Sequence, residues 1–537
     1  MIRITSLKLN IGHSEKDLKE AVLKKLRLTV EDITDCTIVK KSLDARDKEN
    51  ICWNYIIDAE VKNEESVLRI FKNNRNISRA ADTRYVLPQK GRDKLPSRPC
   101  VIGSGPAGLF CAYFLAKEGY RPVLIEQGQC VEDRVNTIKR FWDENSLNPL
   151  SNVQFGEGGA GTFSDGKLNT GVNDKNGRNR IVLETFIQNG APEEILYMNK
   201  PHIGTDILAK VIVNMRKSIT GWGGDVLFNT KFVDFAKKDG RVISIALEKE
   251  REILIRPCSV LVLALGHSAR DTFYMLGGMG LDIEAKAFAV GVRTEHKQED
   301  INRAMYGDNY RELYKDGLPP ADYKLTYRAK DGRGVYTFCM CPGGYVVNAS
   351  SEEGALCVNG MSYSKRDGEN ANSAIIVAVT PEDTGADKDP MAGIEFQREL
   401  ERKAYEKGKG LIPCQRLEDF SQLQCSDRFG RIIPESKGRT EFADINRILP
   451  DFICSDIREA FEAFGKKIRG FDDPDTVLSA VESRTSSPIR ILRDSNLESN
   501  IKGIFPAGEG AGYAGGIVSS AIDGIKVFEE IYRRYSG

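Results

Sequence analysis

One stretch constrains this chain more than any other. Cys100-Val101-Ile102 is a short apolar strand, and Gly103-Ser104-Gly105-Pro106-Ala107-Gly108 follows without a break. A helical segment at 109–118 comes next, Gly119 stops it, and a second strand at 122–125 ends at Glu126, 18 residues beyond Gly108. Strand, G-x-G-x-x-G turn, helix and acid in this register are the signature of a dinucleotide-binding βαβ unit. Gly103 permits the tight turn, Gly105 lets backbone approach a pyrophosphate that a Cβ would strike, and Gly108 lets the helix pack close on the strand. Ser104, Pro106 and Ala107 lead into a helix N-terminus whose free N–H groups suit phosphates. Glu126, with Gln127 beside it, can accept hydrogen bonds from ribose hydroxyls. Its charge repels a 2′-phosphate, which disfavours NADP here.

A second glycine cluster lies far downstream. Residues 504–507 read as a strand, Gly508-Glu509 as a glycine–acid pair, and Gly512-Tyr513-Ala514-Gly515-Gly516-Ile517 as the opening of a helix reaching about residue 533. Ile517, Ala521, Ile522, Ile525 and Phe528 recur at helical spacing. An apolar run at 259–266 ends in Ala264-Leu265-Gly266, and the residues before it, 229–235 and 240–247, read as a hairpin. This arrangement resembles the FAD domain of glutathione-reductase-type flavoproteins, which the chain leaves at an Ala-Thr-Gly strand and rejoins at its end. An NAD domain needs no such return, so the resemblance implies FAD. It also implies that Glu509 meets the ribityl and phosphate region, that backbone near Phe232 or Val233 meets the adenine, and that the helix N-terminus at 515–517 lies near the flavin N1–C2 edge, where its partial positive charge favours the reduced anion. As a whole the chain resembles a bacterial family of FAD-dependent dehydrogenase-like proteins, the NAD(FAD)-utilising dehydrogenases of undefined substrate. Residues 101–128, 154–170, 264–273, 482–494 and 503–525 carry the resemblance. It implies non-covalent FAD and a redox role, and it names no substrate.

The third cluster, 154–170, is glycine-rich. Gly156, Gly158, Gly159 and Gly161 leave N–H groups open and Thr162 and Ser164 add hydroxyls, so this loop is expected to wrap part of the cofactor. Arg134, on the helix after Glu126, is a candidate partner for the pyrophosphate. No acid–base pair announces itself. His267, Lys167 and Arg484 are the catalytic candidates, with Asp165 and Arg270 nearby in sequence. Cys339 and Cys341 lie two apart on a predicted strand, where side chains share a face but diverge too far for an easy disulfide, so reduced thiols are expected. No second G-x-G-x-x-G enters a helix after a strand. A dedicated NAD(P)H domain is therefore not expected, which leaves NAD(P)H, if used at all, as a transient electron donor.

Composition bounds the rest. Lys plus Arg and Asp plus Glu each number 77, which argues against nucleic acid or anionic lipid as partner. No apolar run approaches the ~20 residues of a membrane helix, and no leader pattern opens the chain, so a cytoplasmic protein is expected. The 12 cysteines are scattered and the histidines number four, so no metal site is expected. The fold class is α/β. A Rossmann-like FAD-binding domain at 91–280 and 476–537 carries an inserted mixed α+β substrate domain at 281–475, preceded by an α+β, ferredoxin-like module at 1–90 after which 84–99 read as a linker. The function expected is hydride transfer between a small organic molecule and flavin N5. The alternatives are a non-catalytic flavoprotein whose N-terminal module binds a partner, and a flavin-dependent nucleic-acid-modifying enzyme. Oligomeric state is left open.

Overall fold

The computed structural model describes residues 1–81, 84–315 and 317–537. The N-terminal module is a four-stranded antiparallel sheet in the order Ile33–Asp44, Cys52–Val61, Ile2–Asn10, Ile77–Arg79, with helices Glu15–Leu26 and Glu64–Ile70. This is the ferredoxin-like βαββαβ order. Alternation builds it: Trp53, Tyr55, Ile57 and Ala59 are buried while the residues between them are partly exposed. Ser14 and Asp17 close a capping box at the start of the first helix. The edge strand Ile33–Asp44 is the longest of the four, at 12 residues.

The nucleotide-binding sheet has five parallel strands in the order Ile504–Pro506, Leu261–Leu263, Cys100–Ile102, Val123–Ile125, Asp225–Leu227. The first four are buried throughout, as parallel strands covered on both faces must be. Val262 sits beside both Val101 and Phe505. That register brings the loops after Ile102, Leu263 and Pro506 to one sheet edge, where open α/β sheets bind ligands. Helices Pro106–Lys117 and Ile517–Arg534 pack on one face, with the Phe114 and Phe528 rings 5.5 Å apart. An antiparallel meander, Lys231–Lys238, Arg241–Lys249 and Glu252–Pro257, lies on the other side of the sheet's core.

The inserted domain is a seven-stranded mixed sheet in the order Thr326–Arg328, Gly334–Cys341, Asn370–Val379, Phe288–Lys297, Val477–Glu482, Ile412–Arg416, Thr440–Phe442. One expected boundary needs correction. Val477–Glu482 does not begin the return to the nucleotide domain at 476. It pairs with Phe288–Lys297 on one side and Ile412–Arg416 on the other, in the middle of the inserted sheet. The return comes only after Arg484, with Ile489–Ile491 pairing to Ile283–Ala285. Among the described residues, no helix is long and apolar enough to cross a membrane.

Candidate functional site

The three glycine clusters meet around one cavity of about 750 Å³, within the roughly 300–1,000 Å³ usual for cofactor and ligand sites. On its nucleotide side it is lined by Gly103, Gly105, Pro106, Ala107, Glu126, Gln127, Gly159, Gly161, Phe232, Ala264 and Gly266, and by Glu509, Gly515, Gly516 and Ile517 of the return loop. Backbone dictates the glycines. Gly103 has φ +93°, and a Cβ there would sit 2.3 Å from the Ala264 carbonyl oxygen. At Gly108 a Cβ would fall 1.9 Å from the Gly103 oxygen. Gly105 is the contrary case: a Cβ would meet nothing of the protein closer than Gly159 Cα at 3.9 Å. Its bareness serves the cavity and not the fold.

Glu126 is more occupied than a ribose ligand alone would be. One carboxylate oxygen accepts from the Ser104 N–H (2.9 Å) and hydroxyl (2.7 Å), the other from the N–H groups of Gly128 and Gly156, both at 3.0 Å. The carboxylate thus ties the first glycine loop to the third while still facing the cavity.

Six expected contact residues stand behind the wall. Arg134 is fully buried and spends its guanidinium on the carbonyls of Asn152, Val153, Glu157 and Gly159, at 2.7–3.0 Å. Its role as a pyrophosphate partner is therefore corrected to that of a clamp shaping the 152–159 loop. The Thr162 hydroxyl donates to the Glu157 carbonyl, the Ser104 hydroxyl to Glu126, and the Gly508 N–H to Asp523. Gly108 packs the helix on its strand, and Val233 lies beside the cavity-lining Phe232 without joining it.

The opposite wall comes from the inserted sheet and the 164–170 loop. Asp165, 1% exposed, accepts from the Ser362 hydroxyl and the Arg366 guanidinium and pairs with Lys167 at 2.9 Å. Burial would raise its pKa, but the two cations and these hydrogen bonds hold it below the ordinary carboxylate value. Lys167 also donates to the Met340 carbonyl. Burial works against its charge, yet the neighbouring thiols and Asp165 outweigh that and keep its pKa raised.

His267 lines the cavity, with Nδ1 3.0 Å from the Ser268 hydroxyl. Burial, then the charges of Arg484 and Arg270, push its pKa down to about 3, so its imidazole is neutral at physiological pH. Arg484 borders the cavity but is engaged bidentately by Glu401 at 2.9 and 2.7 Å. Arg270 grips the same carboxylate at 2.8 and 2.7 Å. These two arginines form a buried triad with Glu401, so the expected catalytic role of Arg484 gives way to a positioning one. Sequence reasoning passed over Asn359, Tyr323, Gln154 and the cavity face of Cys339, all of which line the site. Residues so far apart carry no local signal of convergence.

Comparison with known proteins agrees with this geometry. A family described as FAD-dependent protein, C-terminal domain-like, matches residues 287–485, and an NAD(P)-binding Rossmann-like domain matches 101–145. Residues 1–60 match a domain of unknown function. An uncharacterized protein of Clostridium beijerinckii is 44% identical over 539 residues, spanning 99% of both chains. The chain belongs to this family of FAD-dependent proteins. Among solved structures, a flavin-dependent brominase mutant is 12% identical, with 81% of this chain and 78% of that one covered, at a TM-score of 0.36. L-proline dehydrogenase from P. horikoshii is also 12% identical, with 83% and 94% covered, at 0.33. Likenesses this loose carry no argument about substrate.

The residues of the FAD-dependent protein fit its cofactor. A Cβ at Gly515 would meet no protein atom within 4 Å, so the return loop is bare where it faces the cavity. Helices Pro106–Lys117 and Ile517–Arg534 both begin at the wall, offering first-turn N–H groups that no intrahelical carbonyl can take. The Glu509 carboxylate receives no hydrogen bond from any described residue, and burial pushes its pKa up to about 7 although Lys286 pulls it down. An elongated, polyhydroxylated dinucleotide offers partners to all of these groups.

Proposed function

We propose that this protein is an oxidoreductase that moves a hydride between a small organic substrate and FAD held in the cavity. The observation that supports it best is convergence: three glycine loops, drawn from positions about 400 residues apart, line the same side of one cavity whose other side is a charged, functionalised sheet. In this reading the backbone of 103–107 and the helix behind it take the pyrophosphate, Glu126 the adenosine ribose, and Phe232 with Thr230 the adenine edge. Glu509 meets the ribityl hydroxyls, and residues 515–517 with Gly159 and Gly161 bracket the ring system. FAD supplies the two-electron chemistry at its N5.

The protein's own side chains place the substrate. The Lys167 ammonium uses two donors on Asp165 and Met340 and keeps a third for a substrate oxygen. His267, neutral at physiological pH, offers one ring nitrogen to a transferable proton while Ser268 engages the other. The Arg270–Glu401–Arg484 triad holds the edge of the inserted sheet over the site and helps exclude water. Purified protein is expected to be yellow, to release FAD on denaturation, and to bleach on anaerobic photoreduction. Colourless protein that releases NAD, or nothing, overturns the reading.

A further inference from the structure

We propose that Cys339 and Cys341 form a redox pair in the wall of the FAD cavity, cycling between dithiol and disulfide as two electrons pass to or from FAD, an inference that rests on FAD occupying that cavity. The sequence alone argues against it, because alternate residues on a regular strand diverge. The strand is not regular here. Gly334–Cys341 pairs with Asn370–Val379 in step as far as Phe338 opposite Ala374, and pairing resumes at Cys341 opposite Asn372. One extra residue is therefore accommodated, and Cys339 takes a left-handed φ of 44°. A bulge of this kind re-aims a side chain, and non-glycine residues held there are over-represented at functional sites.

The result is specific. Cys339 lines the cavity, whereas Cys341 is fully buried behind it. The Cys341 thiol donates to the Cys339 carbonyl oxygen at 3.2 Å, which folds the second thiol back onto the residue that carries the first. Two cations pin the bulge by its carbonyls: Arg293, itself paired with Glu482, donates to Cys339 O at 3.0 Å, and Lys167 donates to Met340 O. These contacts also set the chemistry. The neighbouring Cys341 thiol, then Lys167 and Arg293, lower the Cys339 pKa, while burial and the neighbouring thiolate raise that of Cys341. One sulfur is thus a ready nucleophile and the other a proton-bearing partner, the division of labour thiol–disulfide exchange requires. Buried thiols without such a neighbour differ: burial pushes Cys357, Cys414 and Cys454 up to about 12; Cys100 beside Cys258 is lowered in the same way, but neither lines the cavity.

The step balances. In the oxidative direction one S–S bond forms, both thiols give up their protons, and two electrons with two protons convert FAD to FADH2; the reverse restores the dithiol.

The test is an anaerobic dithionite titration of air-oxidised holoprotein, followed by alkylation and mass mapping of residues 334–341. Wild type should consume four electrons per bound flavin, and its oxidised peptide should resist alkylation and weigh two hydrogens less than the dithiol. C339S and C341S should each consume two electrons, whereas C425S, at an exposed position, should keep four. Wild type that holds flavin, consumes two electrons and alkylates at both positions overturns the pair, whether or not either variant folds. Protein that holds no flavin overturns the cavity reading and the pair with it, so the two failures are distinguishable.

Discussion

The two walls of the cavity are built on opposite principles. The nucleotide wall is bare backbone: Gly103, Gly105, Gly159, Gly515 and Gly516 line it without side chains, and Glu126 is a side chain largely spent on tying those loops together. The wall from the inserted sheet is side chain: Lys167, Cys339 and Arg484 border the space, each held by buried charges such as Asp165, Arg293 and Glu401. A wall made of peptide groups can serve any dinucleotide and depends on bareness. A wall made of paired charges depends on every partner, since a buried ion left alone is costly.

Removing one partner from each wall should therefore fail in different ways. Glu401→Ala strands Arg270 and Arg484 in the interior and should destabilise the protein by about 3–5 kcal/mol, read as a lowered midpoint in urea unfolding without added FAD. A midpoint within error of wild type would mean that the arginines find other partners and that the charged wall is not interdependent. Gly105→Val should do the reverse. The nearest protein atom to a new Cβ is 3.9 Å away, so the unliganded fold should keep its stability. FAD, displaced from at least two backbone N–H donors at about 1.5 kcal/mol each, should bind on the order of 100-fold more weakly. Lost stability with unchanged flavin retention would break the contrast.

The same contrast explains what could be read from the sequence. Backbone recognition is local: a strand, three glycines and an acid within 27 residues are visible as a string, and the five-stranded parallel sheet follows from them. Side-chain recognition is assembled at a distance. Arg134 stands on an amphipathic helix, and nothing in the chain tells whether its guanidinium meets a phosphate or four carbonyls. Val477–Glu482 is buried along its whole length, as a strand of either domain would be, and only its ladder partners assign it to the inserted sheet. Cys339 escaped because period-two reasoning holds only on a regular ladder, and no glycine or proline marks the bulge that turns it.

Glu509 tests the comparison most finely, because among the described residues no donor reaches its carboxylate. Burial raises its pKa from 4.5 to about 7 in the folded protein. The folded state thus keeps a proton that the unfolded chain releases, so this group's contribution to stability is full below about pH 4.5 and is lost as pH rises through about 7. Glu295 and Glu157, also raised to about 7 by burial, add slopes of the same sign. Glu509→Gln should remove only its own share, so that the unliganded variant loses less thermal stability between pH 5 and pH 8 than wild type. With FAD present, hydroxyl donors reach the wild-type carboxylate and its charge no longer stands uncompensated, so the two pH profiles should draw together. Parallel profiles without FAD would show that Glu509 finds a donor within the protein, and the backbone wall would then be as self-sufficient as the charged one.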